Sequence, residues 1–265
     1  MSAWRILKLY VYILVIIMAA PILITFPVAI TTTGYMTFPP VGFTLSWFTK
    51  AFQDKILLES LIRSLYLALA SSVVSVFIAL LSSFAIERGE FPGKSLVETF
   101  FSGPRMIPLI IFVLALLFFY EWLGLAETLT GLMLSHLIIS LPFAFRTLLV
   151  SVCALDRRLE WSAQILGANS LQTFFRVTLP QIKTGMIAAF IFTFILSFNN
   201  VTMALFLSGV GKRTLPVEMF QRLHVGGITP KIPAISFALS IIGLFLFIVA
   251  DKTVGVFKYL GGGSE

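Results

Sequence analysis

Residues 151–184 read SVCALDRRLEWSAQILGANSLQTFFRVTLPQIKT, and this polar stretch between two apolar segments decides how the chain is interpreted. In its first half, leucine and alanine recur at the spacing of one helix face. Asp156 stands where an N-cap is expected and Gly167 where a helix stops. Asn169 or Ser170 can cap a second short helix. The stretch therefore predicts two short amphipathic helices joined at a sharp glycine turn.

The second of these helices is expected to end at Leu179-Pro180, where the chain returns to an apolar segment. Two interpretations of the helical pair stay open. It is either an interfacial hairpin that lies on the bilayer, or a rigid element against which a cytoplasmic partner docks.

The composition on either side of this stretch is that of an integral membrane protein. Of the 265 residues, 58% are hydrophobic and 12% charged, which is about half the charge density of a soluble domain. Six apolar segments are long enough to be spans: residues 9–30, 62–86, 106–122, 128–150, 185–208 and 234–250. Because backbone groups in lipid must be paired within the chain, these spans are predicted to be helices. We expect one transmembrane domain over residues 1–265.

The basic residues predict which side of the membrane each loop faces. With the N-terminus in the cytoplasm, 12 of the 19 lysines and arginines fall on the cytoplasmic side and 7 on the opposite side. This asymmetry favours a multi-pass protein with both termini in the cytoplasm. The same distribution over short loops explains the net charge of +7 without a nucleic-acid partner.

The segment GEFPGKS, residues 89–95, resembles the end of a phosphate-binding loop but has the wrong spacing. Such a loop needs four residues between its first glycine and the Gly-Lys pair, whereas Gly89 and Gly93 enclose only three. A turn with Lys94 as a cytoplasmic anchor is the better interpretation. We therefore expect this chain to bind no nucleotide.

Neither catalytic nor metal-binding patterns are visible in the sequence, so an enzyme is not indicated. The spans contain few ionisable residues, which argues against a proton or ion relay. Their polar side chains include His136 in the fourth span and Ser197, Asn199 and Asn200 in the fifth. Serines at such positions commonly join helices. The two adjacent amides are instead expected to point to different helix faces, towards a cavity or a subunit interface.

The stretch 151–184 resembles the cytoplasmic Glu-Ala-Ala…Gly…Ile-x-Leu-Pro loop of ABC importer permeases. Matching that motif's spacing are Trp161-Ser162-Ala163, Gly167-Ala168 and Val177-Thr178-Leu179-Pro180. The motif's glutamate position holds Trp161, and Glu160 stands one residue earlier. The wider chain is similar to the spermidine/putrescine branch, in His136 with Leu141-Pro142-Phe143 and in the segments LSFNNVTMALFLSG and TLPVEMFQRL.

The resemblance implies a type I ABC importer permease fold, all-α with six transmembrane helices and cytoplasmic coupling helices. It implies as partners a second, different permease chain, two ATPase subunits that carry ATP and Mg²⁺, and an extracytoplasmic substrate-binding protein. Coupling to the ATPase is expected to involve Trp161, Ala163, Gly167, Ala168, Leu171, Leu179 and Pro180. The substrate pathway is expected to involve His136, Ser197, Asn199 and Asn200.

The function expected from this resemblance is ATP-driven import of a small, polyamine-like solute through the bacterial cytoplasmic membrane. The alternatives are an ion-coupled secondary transporter and a membrane-embedded enzyme or scaffold. The neutral spans weigh against the first, and the missing catalytic set weighs against the second.

Overall fold

The computed structural model describes residues 2–102, 108–225, 227 and 229–254, and helices make up most of them. The helices in chain order are α1 Ser2–Ala29, α2 Ser46–Gln53, α3 Lys55–Arg88, α4 Lys94–Ser102, α5 Leu109–Leu123, α6 Leu129–Cys153, α7 Arg157–Ile165, α8 Ser170–Thr173, α9 Leu179–Phe198, α10 Val201–Leu207, α11 Leu215–His224 and α12 Lys231–Val254. A π-helical turn, Phe174–Thr178, joins α8 to α9.

Five helical runs in the described chain are long and apolar enough to cross a membrane: Trp4–Ala29, Lys55–Arg88, Leu129–Cys153, Ser170–Phe198 and Lys231–Ile248. They cover five of the six predicted spans and confirm a multi-pass, all-helical membrane fold. The third predicted span, 106–122, corresponds to the 15-residue helix α5. At 1.5 Å per residue α5 is about 22 Å long, shorter than the hydrocarbon core. Residues 106 and 107 lie outside the described part.

The chain divides into two compact units. The first comprises Met1–Glu59 and Glu218–Val249. In it, the rings of Phe26 in α1 and Phe237 in α12 lie 4.8 Å apart. The Trp47 indole in α2 donates a 2.8 Å hydrogen bond to the carbonyl of Thr31, which follows α1. These contacts hold α2 against the segment that follows α1 and pack α1 against α12.

A charged cluster in this first unit is centred on Asp54, the residue between α2 and α3. Its carboxylate accepts two hydrogen bonds from Arg222 of α11, at 2.7 and 3.0 Å, and one from Lys231 of α12, at 3.2 Å. Arg222 also donates to Glu218 at 2.8 Å. The bonds from Arg222, more than the opposing effect of burial, hold the pKa of Asp54 well below its usual range. Asp54 therefore stays ionised and ties α11 and α12 to the start of α3.

The second unit, which contains Ser60–Val217, has two apolar clusters at opposite halves of its helices. Both clusters draw on α3 and α6; the first adds α5, α10 and one residue of α11, and the second adds α9. Buried in the first are Leu67, Val113, Leu116, Tyr120, Leu132, Met203, Ala204, Leu207 and Val217. Buried in the second are Val76, Ala79, Leu80, Ile86, Ala144, Phe145, Leu148, Ile182 and Ala189. Small buried residues of α9, among them Gly185 and Ala188, let it run close along α6.

The fifth predicted span, 185–208, is not one continuous helix. α9 ends at Phe198, and α10 begins at Val201 with Asn200 as its N-cap. The Asn200 side chain accepts a 2.8 Å hydrogen bond from the Met203 backbone N–H. An asparagine that bonds its own following backbone in this way competes with helix continuation, so the two amides mark a break in the span.

The expectation that Leu179-Pro180 ends the second short helix was also wrong. The helical run continues from Ser170 to Phe198, and Pro180 lies in the first turn of α9. A proline inside an α-helix clashes with the carbonyl four residues earlier. The π-helical turn Phe174–Thr178, which lies directly before it, is wider and relieves that clash.

Candidate functional site

The helical pair predicted in residues 151–184 is present, and its first helix, α7, is capped at both ends. The Asp156 side chain accepts a hydrogen bond from the Arg158 backbone N–H at 2.9 Å, which confirms the predicted N-cap of α7. At the other end, Gly167 donates to the carbonyl of Gln164 and Ala168 to that of Ala163, both at 3.0 Å. Together these two bonds form a Schellman motif.

Gly167 has a φ of +90°, as predicted for the turn. A Cβ built at this position would meet no atom within 4 Å. The requirement for glycine is therefore one of backbone conformation and not of space.

Of the two predicted caps for the second helix, the structure uses Asn169. Its side chain accepts from the Gln172 backbone N–H at 2.9 Å, and the Gln172 side chain accepts from the Asn169 N–H at 3.0 Å. This reciprocal capping box fixes the start of α8 directly after the glycine turn. The turn between α7 and α8 is thus held by hydrogen bonds on both sides.

The outer surface of this helical pair carries several large apolar side chains. Trp161 and Leu171 are 59% and 71% exposed, and Ile165, Leu166 and Phe175 are also exposed. Ala163 and Ala168 are half-buried, as is Leu179, while Pro180 is exposed. The coupling residues expected from the sequence therefore lie on one short helical pair, with large apolar side chains among the accessible ones. Their role in coupling stays a prediction.

The sequence reasoning missed the role of Glu160, which is 6% exposed and faces the interior of the second unit. Its carboxylate accepts from the Nη2 of Arg88 at 2.7 and 3.0 Å and from the hydroxyl of Thr178. Arg88 is the last residue of α3, and Thr178 is the last residue before α9. A signal was available, because Glu160 and Trp161 are neighbours on a helix and point in different directions.

The environment of Glu160 keeps it ionised. Burial by itself would raise the pKa of this carboxyl, and it is the largest single effect. The hydrogen bonds from Arg88 and Thr178, with the charges of Arg88 and Arg157, outweigh it and lower the pKa below its ordinary value. The carboxylate is therefore charged at neutral pH.

A second ion pair joins the same two helices. Arg157 of α7 donates to the carboxylate of Glu87 of α3 at 2.6 and 2.7 Å. The acid lies on α3 in this pair and on α7 in the Arg88–Glu160 pair. The rings of Phe84 and Phe174 pack edge to face beside them, with centroids 5.9 Å apart.

Two of the predicted pathway residues, His136 and Ser197, are in direct contact inside the second unit. The Nδ1 of His136 lies 2.7 Å from the Ser197 hydroxyl, and Ser71 donates to the same hydroxyl at 3.0 Å. His136 and Ser197 are each 1% exposed. They join α3, α6 and α9 in the described conformation, and their place in a pathway stays a prediction.

The two predicted pathway amides have different environments. Asn199 is exposed at the end of α9, whereas Asn200 is buried and occupied as the cap of α10. The expectation that both belong to one continuous helix is therefore wrong. Asn199 is the one whose side chain is accessible.

In the segment 89–95, residues 89–93 form a turn between α3 and α4, and Lys94 begins α4. The Lys94 ammonium donates back to the carbonyl of Gly89 at 3.3 Å, and no strand precedes the turn within the described residues. In the part of the chain that the structure describes, no group of three or more His, Cys, Asp or Glu side chains could hold a metal ion.

Comparison with known sequences finds a family match over most of the chain. The sequence model of the family described as "binding-protein-dependent transport system inner membrane component" matches residues 71–257. The spermidine/putrescine transport system permease protein PotC of Escherichia coli K12 is 27% identical over 219 residues, which are 81% of this chain and 83% of PotC. The putrescine transport system permease protein PotI of the same strain is 26% identical over 215 residues, 78% of this chain and 76% of PotI.

Comparison with solved structures finds the same fold. A bacterial ABC transporter involved in the import of the acidic polysaccharide alginate aligns with a TM-score of 0.71 at 17% identity. The alignment covers 95% of this chain and 98% of that chain.

Proposed function

The chain belongs to the family of binding-protein-dependent transport system inner membrane components, and from this premise we propose that its cargo is a polyamine-like solute delivered by an extracytoplasmic binding protein. It is a multi-pass membrane permease of an ABC importer and not an enzyme; ATP hydrolysis belongs to the partner ATPase. The alternative of an ion-coupled secondary transporter is not favoured by these relatives.

The polyamine cargo is supported by the names of relatives that align over about four-fifths of the chain. A polyamine carries several ammonium groups, yet five of the predicted spans contain no aspartate or glutamate: 9–30, 62–86, 128–150, 185–208 and 234–250. We infer that this subunit offers the cargo neutral amide, hydroxyl and carbonyl oxygens. The acidic groups that pair with the ammonium groups of the cargo would then come from a second, different permease chain.

The observation that carries the coupling role is the exposed apolar surface of α7 and α8. A helical pair that is held by caps on both sides of its turn, and that displays Trp161 and Leu171 as exposed side chains, suits docking to another protein. We propose that one of the two ATPase subunits of the complex binds there, and that the ATPase subunits hold the ATP and Mg²⁺, with no cofactor bound by this chain.

We propose that both termini and the α7–α8 pair face the cytoplasm of a bacterial cell. The support is the excess of lysine and arginine on that side, 12 against 7. On this orientation, the Asp54 cluster faces the binding protein.

The experiment that tests this function is reconstitution of the purified complex into vesicles with its loaded binding protein. We expect uptake of radiolabelled spermidine or putrescine that needs ATP hydrolysis and continues when ionophores collapse the proton and sodium gradients. An anionic oligosaccharide in place of the polyamine serves as the cargo control. Uptake that follows an ion gradient without ATP would contradict the proposal, and uptake of only the anionic control would contradict the cargo.

The two amides at the break of the fifth span are expected to respond differently to substitution. Asn199→Leu should lower transport several-fold with little effect on stability, because the side chain is exposed and makes no helix cap. Asn200→Leu should destabilise the protein by about 1 kcal/mol, because α10 loses its N-cap. Transport assays and thermal unfolding of the purified protein measure the two effects.

Asn200→Ser is the matched control, because serine caps a helix about as well as asparagine does and adds no charge at this buried position. It should restore the stability lost in Asn200→Leu. Normal transport by Asn199→Leu would show that this amide does not contribute to the pathway.

A further inference from the structure

Glu160 joins three elements of the second unit through one buried carboxylate. It belongs to α7, its ion-pair partner Arg88 ends α3, and its hydrogen-bond partner Thr178 precedes α9. If α7 moved away from α3 or α9, the Glu160 carboxylate would lose Arg88 or Thr178 as its partner. This carboxylate belongs to a residue that is only 6% exposed. Such separation is strongly unfavourable, so the three elements should move together.

The second pair, Glu87–Arg157, has the opposite polarity and joins the same two helices. Two ion pairs of opposite polarity fix the position of α7 along α3 as well as the distance between the two helices, because sliding α7 along α3 would bring like charges together. The Arg88 guanidinium also lies over the ring of Phe84, 4.8 Å from its centroid. The contact between α7 and the end of α3 is therefore restrained in several directions.

Neighbouring residues of α7 serve opposite sides of this contact. Glu160 is buried towards α3, and Trp161, the next residue, is 59% exposed on the apolar outer surface. A force applied to Trp161 by a partner would act on a helix that is already paired to α3 and α9. Energetic coupling between distant sites requires such contiguous, stiff elements.

We propose that Glu87, Arg88, Arg157, Glu160 and Thr178, here called the α7 clamp, transmit the displacement of α7 to the membrane helices α3 and α9 during ATP-driven transport. These residues are positioning residues, since they act through the helices and touch neither ATP nor cargo. The inference rests on the proposed function. It concerns the face of α7 that packs against α3, whereas ATPase docking concerns the exposed face of α7 and α8.

The test measures the number of ATP molecules hydrolysed per solute molecule transported by the reconstituted complex. Glu160→Gln keeps the shape of the side chain and removes its charge, and it should raise this ratio about tenfold, as expected for the loss of one charged hydrogen-bonded contact. Glu90→Gln is the matched control, because it removes one exposed carboxylate from the loop that follows α3. Its ratio should stay at the wild-type value.

A charge swap separates coupling from simple loss of structure. Arg88→Glu alone places three acids and one base at the clamp, and we expect the ratio to rise. The double variant Arg88→Glu with Glu160→Arg leaves two acids on α3 and two bases on α7, so every pair across the helices is attractive again. This double variant should bring the ratio back towards wild type, which a role in packing alone would not predict.

The outcomes distinguish the clamp from the proposed function. If the wild-type complex shows no ATP-driven uptake, the proposed function fails before any variant is compared. If the wild type transports and both Glu160→Gln and Arg88→Glu keep its ratio, the clamp proposal is wrong. If those two variants do not assemble, Arg157→Gln decides, because the Arg157–Glu87 pair is less buried than the Arg88–Glu160 pair: a raised ratio supports the clamp, and an unchanged ratio overturns it.

Discussion

Replacing Gly167 with valine is expected to reduce ATP-driven transport about tenfold while leaving the chain inserted in the membrane. The φ of +90° at this turn costs a non-glycine residue about 1–2 kcal/mol, and a β-branched residue is the worst case. A penalty of 1.4 kcal/mol shifts a conformational equilibrium tenfold. The population of the observed turn relative to other conformations would then fall about tenfold, and α7 and α8 would less often present Trp161 and Leu171 in their present arrangement.

At Gly167, the effect of backbone strain can be separated from the effect of steric crowding. Since no atom lies within 4 Å of a Cβ at Gly167, the Cβ of the valine is not crowded, and the positive φ is the source of the strain. Gly167→Asn is the matched control, because asparagine adopts positive φ far more readily than valine. It should retain at least about half of the transport. Transport and ATPase activity are measured together in vesicles, and normal transport by Gly167→Val would remove the coupling role from this turn.

The largest loss of stability is expected from Asp54→Ala. The variant removes the carboxylate that accepts three hydrogen bonds from Arg222 and Lys231, and it leaves these two cations facing each other. Because hydrogen bonds to charged groups contribute about 1.5–3 kcal/mol and the cluster is partly exposed, we expect a loss of about 2–3 kcal/mol. For a chain of this size, that lowers the unfolding midpoint by roughly 4–12 °C.

Two further variants show how much of the stability comes from the ion pairs of Asp54. The Asp54 carboxylate also accepts from the Leu57 backbone N–H at 3.3 Å, and asparagine can keep this cap. Asp54→Asn should therefore lose the ion pairs, but its free energy of unfolding should be about 1 kcal/mol higher than that of Asp54→Ala. Glu59→Ala is the surface control, because the Lys55–Glu59 pair spans 3.9 Å between side chains 89% and 54% exposed. Its effect should stay below about 0.5 kcal/mol.

The pH dependence of the Asp54 effect follows from the direction of its pKa shift. A carboxyl whose pKa is lowered in the folded state stabilises that state fully above its ordinary value of 3.8. The contribution is lost only as the pH falls below that value towards the folded pKa. The stability difference between wild type and Asp54→Asn should therefore be constant between about pH 5 and 8. A difference that disappears within this window would contradict the ion-pair assignment.

The spans and the helical pair were predictable because they depend on short-range patterns. Apolar segments of about 20 residues indicate membrane helices whatever their neighbours are. The caps at Asp156 and Gly167 likewise depend on side chain and backbone within a few residues. Where the prediction failed, a local rule was applied without its context. Pro180 was expected to end a helix, and the preceding π-helical turn accommodates it.

Short-range sequence patterns did not show which face of α7 is buried and which is exposed. The motif's spacing drew attention to Trp161 as the substitute for a glutamate, whereas the buried carboxylate belongs to Glu160. Its partners Arg88 and Thr178 lie 72 and 18 residues away in the chain. No pattern of local spacing predicts that these three side chains meet.

By itself, the sequence determined that this chain is a helical membrane protein with a capped helical pair between two spans, because burial in lipid and helix capping act within each segment. Only the tertiary structure decided that Asp54 ties α11 and α12 to the start of α3, and that Glu160 joins α7 to α3 and α9. Ion pairs of this kind depend on which charged side chains the packed helices bring within hydrogen-bonding distance of each other, and helix packing is a property of the whole unit.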